Sequence, residues 1–190
     1  MIHTPSTADL ARQLAQIVIR GLATGNSVEI DGLGIFHPDT VIGCRFEAIN
    51  VPQVFIAYAK EDARAANRLY DALEGAGFRP WMDSRKLLPG QNWPRAIENA
   101  IEASDFFVAC FSSASVNKKG GFQAEIRYAL ECTRHLPLDD VFIIPVRLNA
   151  CRVPRLIQRE LQYIDLFPNW LEGIDHVVTA MHEELERRRQ

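Results

Sequence analysis

The 190-residue sequence has no long uninterrupted apolar run. No window approaches the roughly 18 apolar residues that a membrane-spanning helix requires. The short apolar stretch Ile17–Ile19 lies between Arg12 and Arg20, and no small-residue cleavage site of a secretion signal follows it. We therefore predict that the protein does not bind a membrane, is not secreted and resides in the cytoplasm.

An excess of positive charge is also missing. The chain has 21 Lys and Arg against 24 Asp and Glu, a net charge of −3, so the positive field that drives most nucleic-acid binding is absent and no nucleic-acid partner is expected. The cysteines lack C-x-x-C spacing, and no set of cysteines and histidines is spaced as in a zinc site, which predicts reduced thiols and no metal site. They are Cys44, Cys110, Cys132 and Cys151.

Several catalytic signatures are absent as well. There is no G-x-x-x-x-G-K-[ST] phosphate loop, and Gly32-x-Gly34 lacks the third glycine of the dinucleotide fingerprint. The serines from Ser112 to Ser115 lie outside any G-x-S-x-G turn, and the histidines have no metal-ligand spacing. A serine hydrolase, a metalloenzyme and a protein with a resident cofactor are therefore not expected.

Residues 1–37 predict a small helix and hairpin module, followed by a linker over 38–52. Apolar side chains recur at helical spacing between Leu10 and Leu22, and Asp31-Gly32 separates two short β-prone runs, as in a hairpin. The segment GLATGNSVEIDGLGIF weakly resembles part of the HU-type histone-like fold, but the basic DNA-binding arm of that family is absent. Two interpretations stay open: dimerisation through this module, or an extension packed on the main domain.

From residue 53 onward, apolar strands alternate with amphipathic helices. This pattern predicts an α/β domain with a parallel sheet covered by helices on both faces. Strands are expected at 53–58, 78–82, 106–111, 141–148 and 162–167; helices are expected at 62–75, from 93 onward, at 122–132 and at 170–187, with a loop over 83–92.

Ligands of open parallel sheets bind beyond the carboxyl ends of the strands, where the strand order reverses. If the order is 2-1-3-4-5, this crevice is lined by Tyr58–Lys60, by the loop 112–121 and by the start of the helix that carries Phe122 and Glu125. On a helical projection Glu125 lies about 85° from the centre of the buried stripe, at the edge where core meets cleft. No cation lies three or four residues from Glu125, so no local ion pair accounts for it.

Five short motifs occur along region 53–187. They are an F-I-x-Y box, a W-x-D strand ending, a K-L-L-P-G loop followed by a tryptophan, a strand that begins after Ser-Asp and ends at a serine, and an aromatic-x-x-E-I motif. These lie at Phe55–Tyr58, Trp81–Asp83, Lys86–Gly90 with Trp93, Ser104–Ser112 and Phe122–Ile126. With these motifs, region 53–187 resembles a TIR domain, in which the K-L-L-P-G segment corresponds to the BB loop.

The resemblance implies a flavodoxin-like fold with a five-stranded parallel sheet in the order 2-1-3-4-5. Some TIR domains are non-catalytic adaptors that pair with other TIR domains, and others cleave NAD⁺ at the nicotinamide–ribose bond. Glu125 after Phe122 matches the motif of the cleaving class and implies a catalytic glutamate. We therefore expect an NAD⁺ nucleosidase that acts in signalling or antiviral defence and is activated by TIR self-association. NAD⁺ is then the substrate, and the adaptor is the alternative.

Further site residues follow from their location beside the predicted crevice. Tyr58 and Trp93 offer rings for stacking, Lys60, Arg85 and Lys86 are expected to meet the pyrophosphate, and Phe122 and Ala59 line the site. Ala59 replaces an arginine found in some cleaving relatives. Interface residues are expected in the BB loop and after the fifth strand, namely Leu88, Pro89, Gly90 and Trp170. A phosphoryl-accepting receiver is disfavoured because no aspartate ends the first or third strand.

Overall fold

The computed structural model describes residues 7–30, 33–48, 51–87, 90 and 92–189. The chain divides into two compact units, Met1–Val51 and Pro52–Gln190. Of the predicted features, the hairpin turn Asp31-Gly32 and the interface residues Leu88 and Pro89 lie outside the described residues.

The described residues of the first unit form one helix and three antiparallel strands. Helix α1 spans Thr7–Ala23, and the strands are β1 (Val28–Ile30), β2 (Gly34–Asp39) and β3 (Gly43–Ala48) in the order β1-β2-β3. The pairing of β1 with β2 confirms the predicted hairpin.

Strand β3 corrects the prediction of a linker over 38–52. Val41 and Ile42 donate backbone hydrogen bonds to the side chain of Asp39 at 2.8 and 3.0 Å, and Gly43 has a φ of +83°. This turn reverses the chain, and β3 then pairs with β2 along its length. The linker prediction was wrong because apolar periodicity does not reveal a turn that is formed by an aspartate side chain.

The second unit is an α/β layer structure. Its strands are β4 (Gln53–Ala57), β5 (Arg79–Trp81), β6 (Phe106–Phe111), β7 (Ile143–Arg147) and β8 (Ile164–Asp165). Its helices are α2 (Ala63–Gly75), α3 (Asp83–Lys86), α4 (Trp93–Glu102), α5 (Gly121–Cys132), α6 (Arg155–Glu160) and α7 (Trp170–Arg188). The sheet order β5-β4-β6-β7-β8 with parallel pairing confirms the predicted fold and the order 2-1-3-4-5.

Two short helices were not expected. Helix α3 occupies residues 83–86 of the predicted loop, and α6 follows Pro154 where the sequence pattern indicated no element. Both contain six residues or fewer. Such lengths are too short for an apolar repeat to be recognised.

The core consists of two apolar layers, one on each face of the sheet. In β6 the six side chains are all buried and alternate between the layers: Phe106, Val108 and Cys110 face one, and Phe107, Ala109 and Phe111 face the other. Helix α5 packs Phe122, Ile126 and Ala129 into the second layer. Its buried face therefore sets the direction of Glu125. Within the described residues, no helix is both long and apolar enough to cross a membrane.

Candidate functional site

Two adjoining cavities lie at the start of helix α5. The first, here called the polar cavity, has a volume of about 300 Å³ and is lined by residues 58–61, 118–123, Asp83, Trp93 and Glu125. The second, here called the apolar cavity, measures about 320 Å³ and lies between α4 and α5. Its lining is mostly apolar, with Pro94, Ile97, Ile101 and Tyr128, and also includes the acid Glu98. Trp93, Gly121 and Glu125 belong to both cavities and form their shared wall.

Glu125 is the acidic residue of this shared wall. Its side chain reaches back toward the first residue of α5, where a Cβ built on Gly121 would lie 3.8 Å from Oε1. Burial, reinforced by the charge of Asp83, raises the pKa of Glu125 from its ordinary value of 4.5 to about 7. Within the described part of the chain no group donates a hydrogen bond to this carboxylate, so nothing offsets the cost of its burial.

Tyr58 and Asp83 also line the polar cavity. The Tyr58 hydroxyl donates to Asp83 Oδ1 at 2.8 Å and lies 2.9 Å from Ser84 Oγ, while the backbone N–H of Ser84 donates to the same Asp83 oxygen at 2.6 Å. Burial is the main cause that raises the pKa of Tyr58 to about 12, so the hydroxyl keeps its proton at neutral pH. These bonds fix a negative charge in the cavity wall beside Glu125.

The cations of the polar cavity come from two loops. Lys60 follows β4, and Lys118 and Lys119 precede α5. Lys118 forms an ion pair with Glu61, whereas Lys60 and Lys119 make no hydrogen bond or ion pair with any described residue. The two loops are tied together because the buried Ser112 hydroxyl donates to Asp62 Oδ2 at 2.7 Å.

Arg85 and Lys86, expected at the pyrophosphate, do not line either cavity. The guanidinium of Arg85 donates to Asn67 Oδ1 at 2.8 Å and to Asp71 Oδ1 at 2.9 Å, and it lies 4.0 Å from the centre of the Tyr70 ring. Lys86 is exposed. The helical turn α3 directs Arg85 toward α2, which explains why it is not brought to the cleft.

The remaining predicted site residues are divided between the cavities and other parts of the fold. Ala59 and Phe122 are buried and line the polar cavity, and Phe122 also packs edge-on against Phe111 in the core. Trp93 is 51% exposed in the shared wall. Gly90 is exposed, and Trp170 packs under Arg68, whose guanidinium lies 4.2 Å from its ring centre. Trp170 lines neither cavity.

Five charged residues that line the cavities were not predicted as site residues from the sequence: Glu61, Asp83, Glu98, Lys118 and Lys119. The loop 112–121 was predicted to line the crevice, but Lys118 and Lys119 were not singled out, and Asp83 was recognised only as part of a motif. The lysines had a sequence signal, because two adjacent cations directly precede Gly120-Gly121 and the predicted helix start. Asp83 had none, since it lies 42 positions from Glu125 in the sequence and meets it only through the tertiary fold.

The TIR domain family matches residues 54–178. Uncharacterized protein y4cD of Sinorhizobium fredii is 26% identical over 116 residues, which are 61% of this chain and 18% of that relative. The chain thus spans less than a fifth of the curated relative's length. The match to the family leaves out the first unit, so the HU-type resemblance has no support from it.

Two solved structures share the fold. A TIR-STING receptor from C. gigas superimposes with a TM-score of 0.56 at 24% identity, covering 67% of this chain and 38% of the receptor. The TIR domain of the Toll-related receptor TRR-2 from Hydra magnipapillata gives 0.52 at 24% identity, covering 66% of this chain and 97% of that domain. At this identity the likeness extends to the fold alone.

Proposed function

The chain belongs to the TIR domain family, and from that premise we propose that it is an NAD⁺ nucleosidase that releases nicotinamide and leaves ADP-ribose or a cyclic isomer. The observation that carries the proposal is the position of Glu125, a half-buried carboxylate in the wall shared by an apolar and a polar cavity. If the nicotinamide–ribose bond lies beside this carboxylate, the nicotinamide ring can occupy the apolar cavity and the diphosphate can occupy the polar cavity.

The two cavities match the two ends of the reacting bond. We place the nicotinamide ring in the apolar cavity, between α4 and α5, with the Trp93 ring as a stacking surface. The ribose then lies against Glu125, and the diphosphate extends into the polar cavity toward Lys60 and Lys119. Both lysines are free of ion pairs with the described residues, so binding the diphosphate does not require an existing ion pair to break.

Glu125 would act on the positive charge that develops at the ribose C1′ carbon. When the C1′–N bond breaks, its electron pair goes to the nicotinamide nitrogen, so nicotinamide leaves as a neutral molecule and needs no acid. An oxocarbenium-like sugar remains. Opposite unit charges about 4 Å apart attract by on the order of 4 kcal/mol at an effective dielectric constant of about 20. Water then bonds to C1′ and releases one proton; alternatively, a nucleophilic nitrogen of the adenine closes a ring.

The exposure of Trp93 is the observation behind a proposed activation by self-association. About half of its surface is exposed in the shared wall, so both cavities open to solvent in the single chain. We propose that a second TIR domain, contacting the first through the loop that contains Gly90, covers this wall and excludes water. Activity would then rise more steeply than protein concentration, as suits a cytoplasmic protein that consumes NAD⁺ only after a signalling or defence event.

The proposal is tested by incubating the full chain with NAD⁺ at increasing protein concentration, with and without a crowding agent, and separating the products by chromatography. Glu125→Gln keeps the side-chain shape and removes the charge. We expect it to lower nicotinamide release by roughly two to three orders of magnitude, as a loss of about 3–4 kcal/mol requires. Glu74→Gln, at an exposed acid of α2, is the matched control and should keep full activity.

Lys119→Gln probes the diphosphate contact separately. It should raise KM for NAD⁺ several-fold with little effect on kcat, because the lysine contacts the same group before and during bond cleavage. The adaptor alternative makes the opposite predictions: no turnover at any concentration, and loss of self-association when Pro89 is substituted. Equal activity of the wild type and Glu125→Gln, with both folded by circular dichroism, would reject the assignment of Glu125.

A further inference from the structure

A third cavity, of about 480 Å³, lies between the loops that follow β6 and β7. We name it the arginine groove. The loop after β6 contributes Ser113, Val116 and Asn117, the loop after β7 contributes Arg152 and Val153, and Arg155 is the first residue of α6. Because both loops follow parallel strands, the groove lies at the same carboxyl edge of the sheet as the polar cavity but is lined by different residues.

The charge of the groove is unbalanced. No carboxylate is found among the described residues that line it, and neither Arg152 nor Arg155 makes a hydrogen bond or ion pair within the described chain. The nearby Arg147 is different, since its guanidinium binds Asp165 with Nη2 2.6 Å from Oδ2 and also donates to the backbone oxygen of Cys151. Two guanidinium groups that line one cavity without a carboxylate partner favour the binding of a multivalent anion.

Hydrogen bonds hold the backbone of the groove in place. The backbone N–H of Ser113 donates to Asn149 Oδ1 at 2.9 Å, which links the two loops directly. Ser115, fully buried, accepts a hydrogen bond from the backbone N–H of Ser112 at 2.8 Å. Val153 is also buried, whereas the side chains of Arg152 and Arg155 are exposed. Binding would therefore order two arginine side chains but would not require the loops to be ordered first.

We propose that the arginine groove binds a phosphate monoester. The phosphate dianion lies between Arg152 and Arg155, whose planar guanidinium groups match its oxygen atoms, and Ser113 and Asn117 supply neutral hydrogen bonds. The organic part of the ester packs against Val116 and Val153. A carboxylate has only two oxygens and one charge, so it satisfies one guanidinium fork and leaves the other unpaired. Binding here does not depend on cleavage of NAD⁺.

The test uses the full chain and phenyl phosphate as the probe, measured by isothermal titration calorimetry at constant ionic strength. We expect saturable binding at one site. Arg152→Gln and Arg155→Gln should each weaken it by about tenfold or more. Arg159→Gln removes an exposed arginine of α6 that does not line the groove, and it should leave binding unchanged.

Further controls test whether binding requires the phosphate, whether it takes place in the groove, and whether a variant that does not fold can be replaced. Phenol, which lacks the phosphate, should not bind, and equal binding of phenol would overturn the proposal. The double variant Lys118→Gln/Lys119→Gln alters only the polar cavity, so loss of phenyl phosphate binding in this variant would also overturn it. If Arg152→Gln fails to fold by circular dichroism, Arg152→Lys replaces it and should weaken binding, because an ammonium cannot bind two phosphate oxygens in a fork.

Discussion

Glu125→Gln should stabilise the folded protein above neutral pH. The variant keeps the side-chain volume and cannot ionise, whereas the wild-type carboxylate must ionise in a half-buried wall without a hydrogen-bond donor. The pKa of Glu125 rises from 4.5 to about 7 on folding, because of burial first and the charge of Asp83 second. Since a group with a raised pKa binds protons more tightly in the folded state, the wild type loses stability as the pH rises between these values.

The expected change in the free energy of unfolding follows from the pKa difference of Glu125 between the folded and unfolded states. Each pH unit of a pKa difference corresponds to about 1.36 kcal/mol, so a rise from 4.5 to about 7 gives about 3 kcal/mol at most. Solvent contact of the carboxylate reduces this to about 1–3 kcal/mol. With an unfolding entropy near 2.1 cal/mol/K per residue and the roughly 140 residues of the second unit, the Tm should rise by roughly 3–10 °C.

Thermal unfolding followed by circular dichroism at pH 5 and pH 8 is the assay. The Tm of Glu125→Gln should exceed that of the wild type at pH 8, and at pH 5, near the lower end of this pH window, the excess should fall to roughly a quarter of that value. Glu74→Gln, at an exposed position, should show no such pH-dependent difference. A Glu125→Gln variant that is no more stable than the wild type at pH 8 would refute the reasoning that Glu125 is buried without compensation.

Three other perturbations test neighbouring parts of the structure. Asp83→Asn removes the charge that helps raise the pKa of Glu125, so the pH at which nicotinamide release reaches half its plateau should fall, as a pH–rate profile would measure. Glu184→Ala removes a buried carboxylate that accepts hydrogen bonds from two arginines and a backbone N–H, and urea unfolding should report a loss of about 2–4 kcal/mol. Gly173→Ala should cost about 1–3 kcal/mol in the same assay, because the added Cβ would lie 2.4 Å from a backbone oxygen of β8. Gly75→Ala, with nothing within 4 Å of the new Cβ, should be neutral or slightly stabilising; equal losses at both glycines would contradict the close contact.

The sequence predicted most of the fold because the relevant signals are local. The alternation of apolar strands with amphipathic helices from residue 53 indicated a covered parallel sheet, and the strand order agrees with the one implied by the family resemblance. The hairpin of the first unit was likewise predicted from a two-residue turn. Strand β3 was missed because the turn before it is formed by an aspartate side chain that bonds to the backbone, which apolar periodicity does not reveal.

The position of Glu125 at the edge of the buried stripe of α5 was also accessible from the sequence. Helical geometry relates it to Phe122 and Ile126, both of which are buried. Its catalytic role stays a proposal. That role rests on the TIR resemblance together with the two cavities, and the assay of Glu125→Gln decides it.

The sequence by itself determined the residue types, the alternation of elements and the side of α5 on which Glu125 lies, because these depend on neighbours a few positions apart. Only the tertiary structure decided which charges meet. It turned Arg85 away toward Asp71 and brought Asp83 beside Glu125. The physical reason is that Coulomb energies and burial depend on distances in space between segments that the strands bring together, and these distances are not encoded in the spacing of residues along the chain.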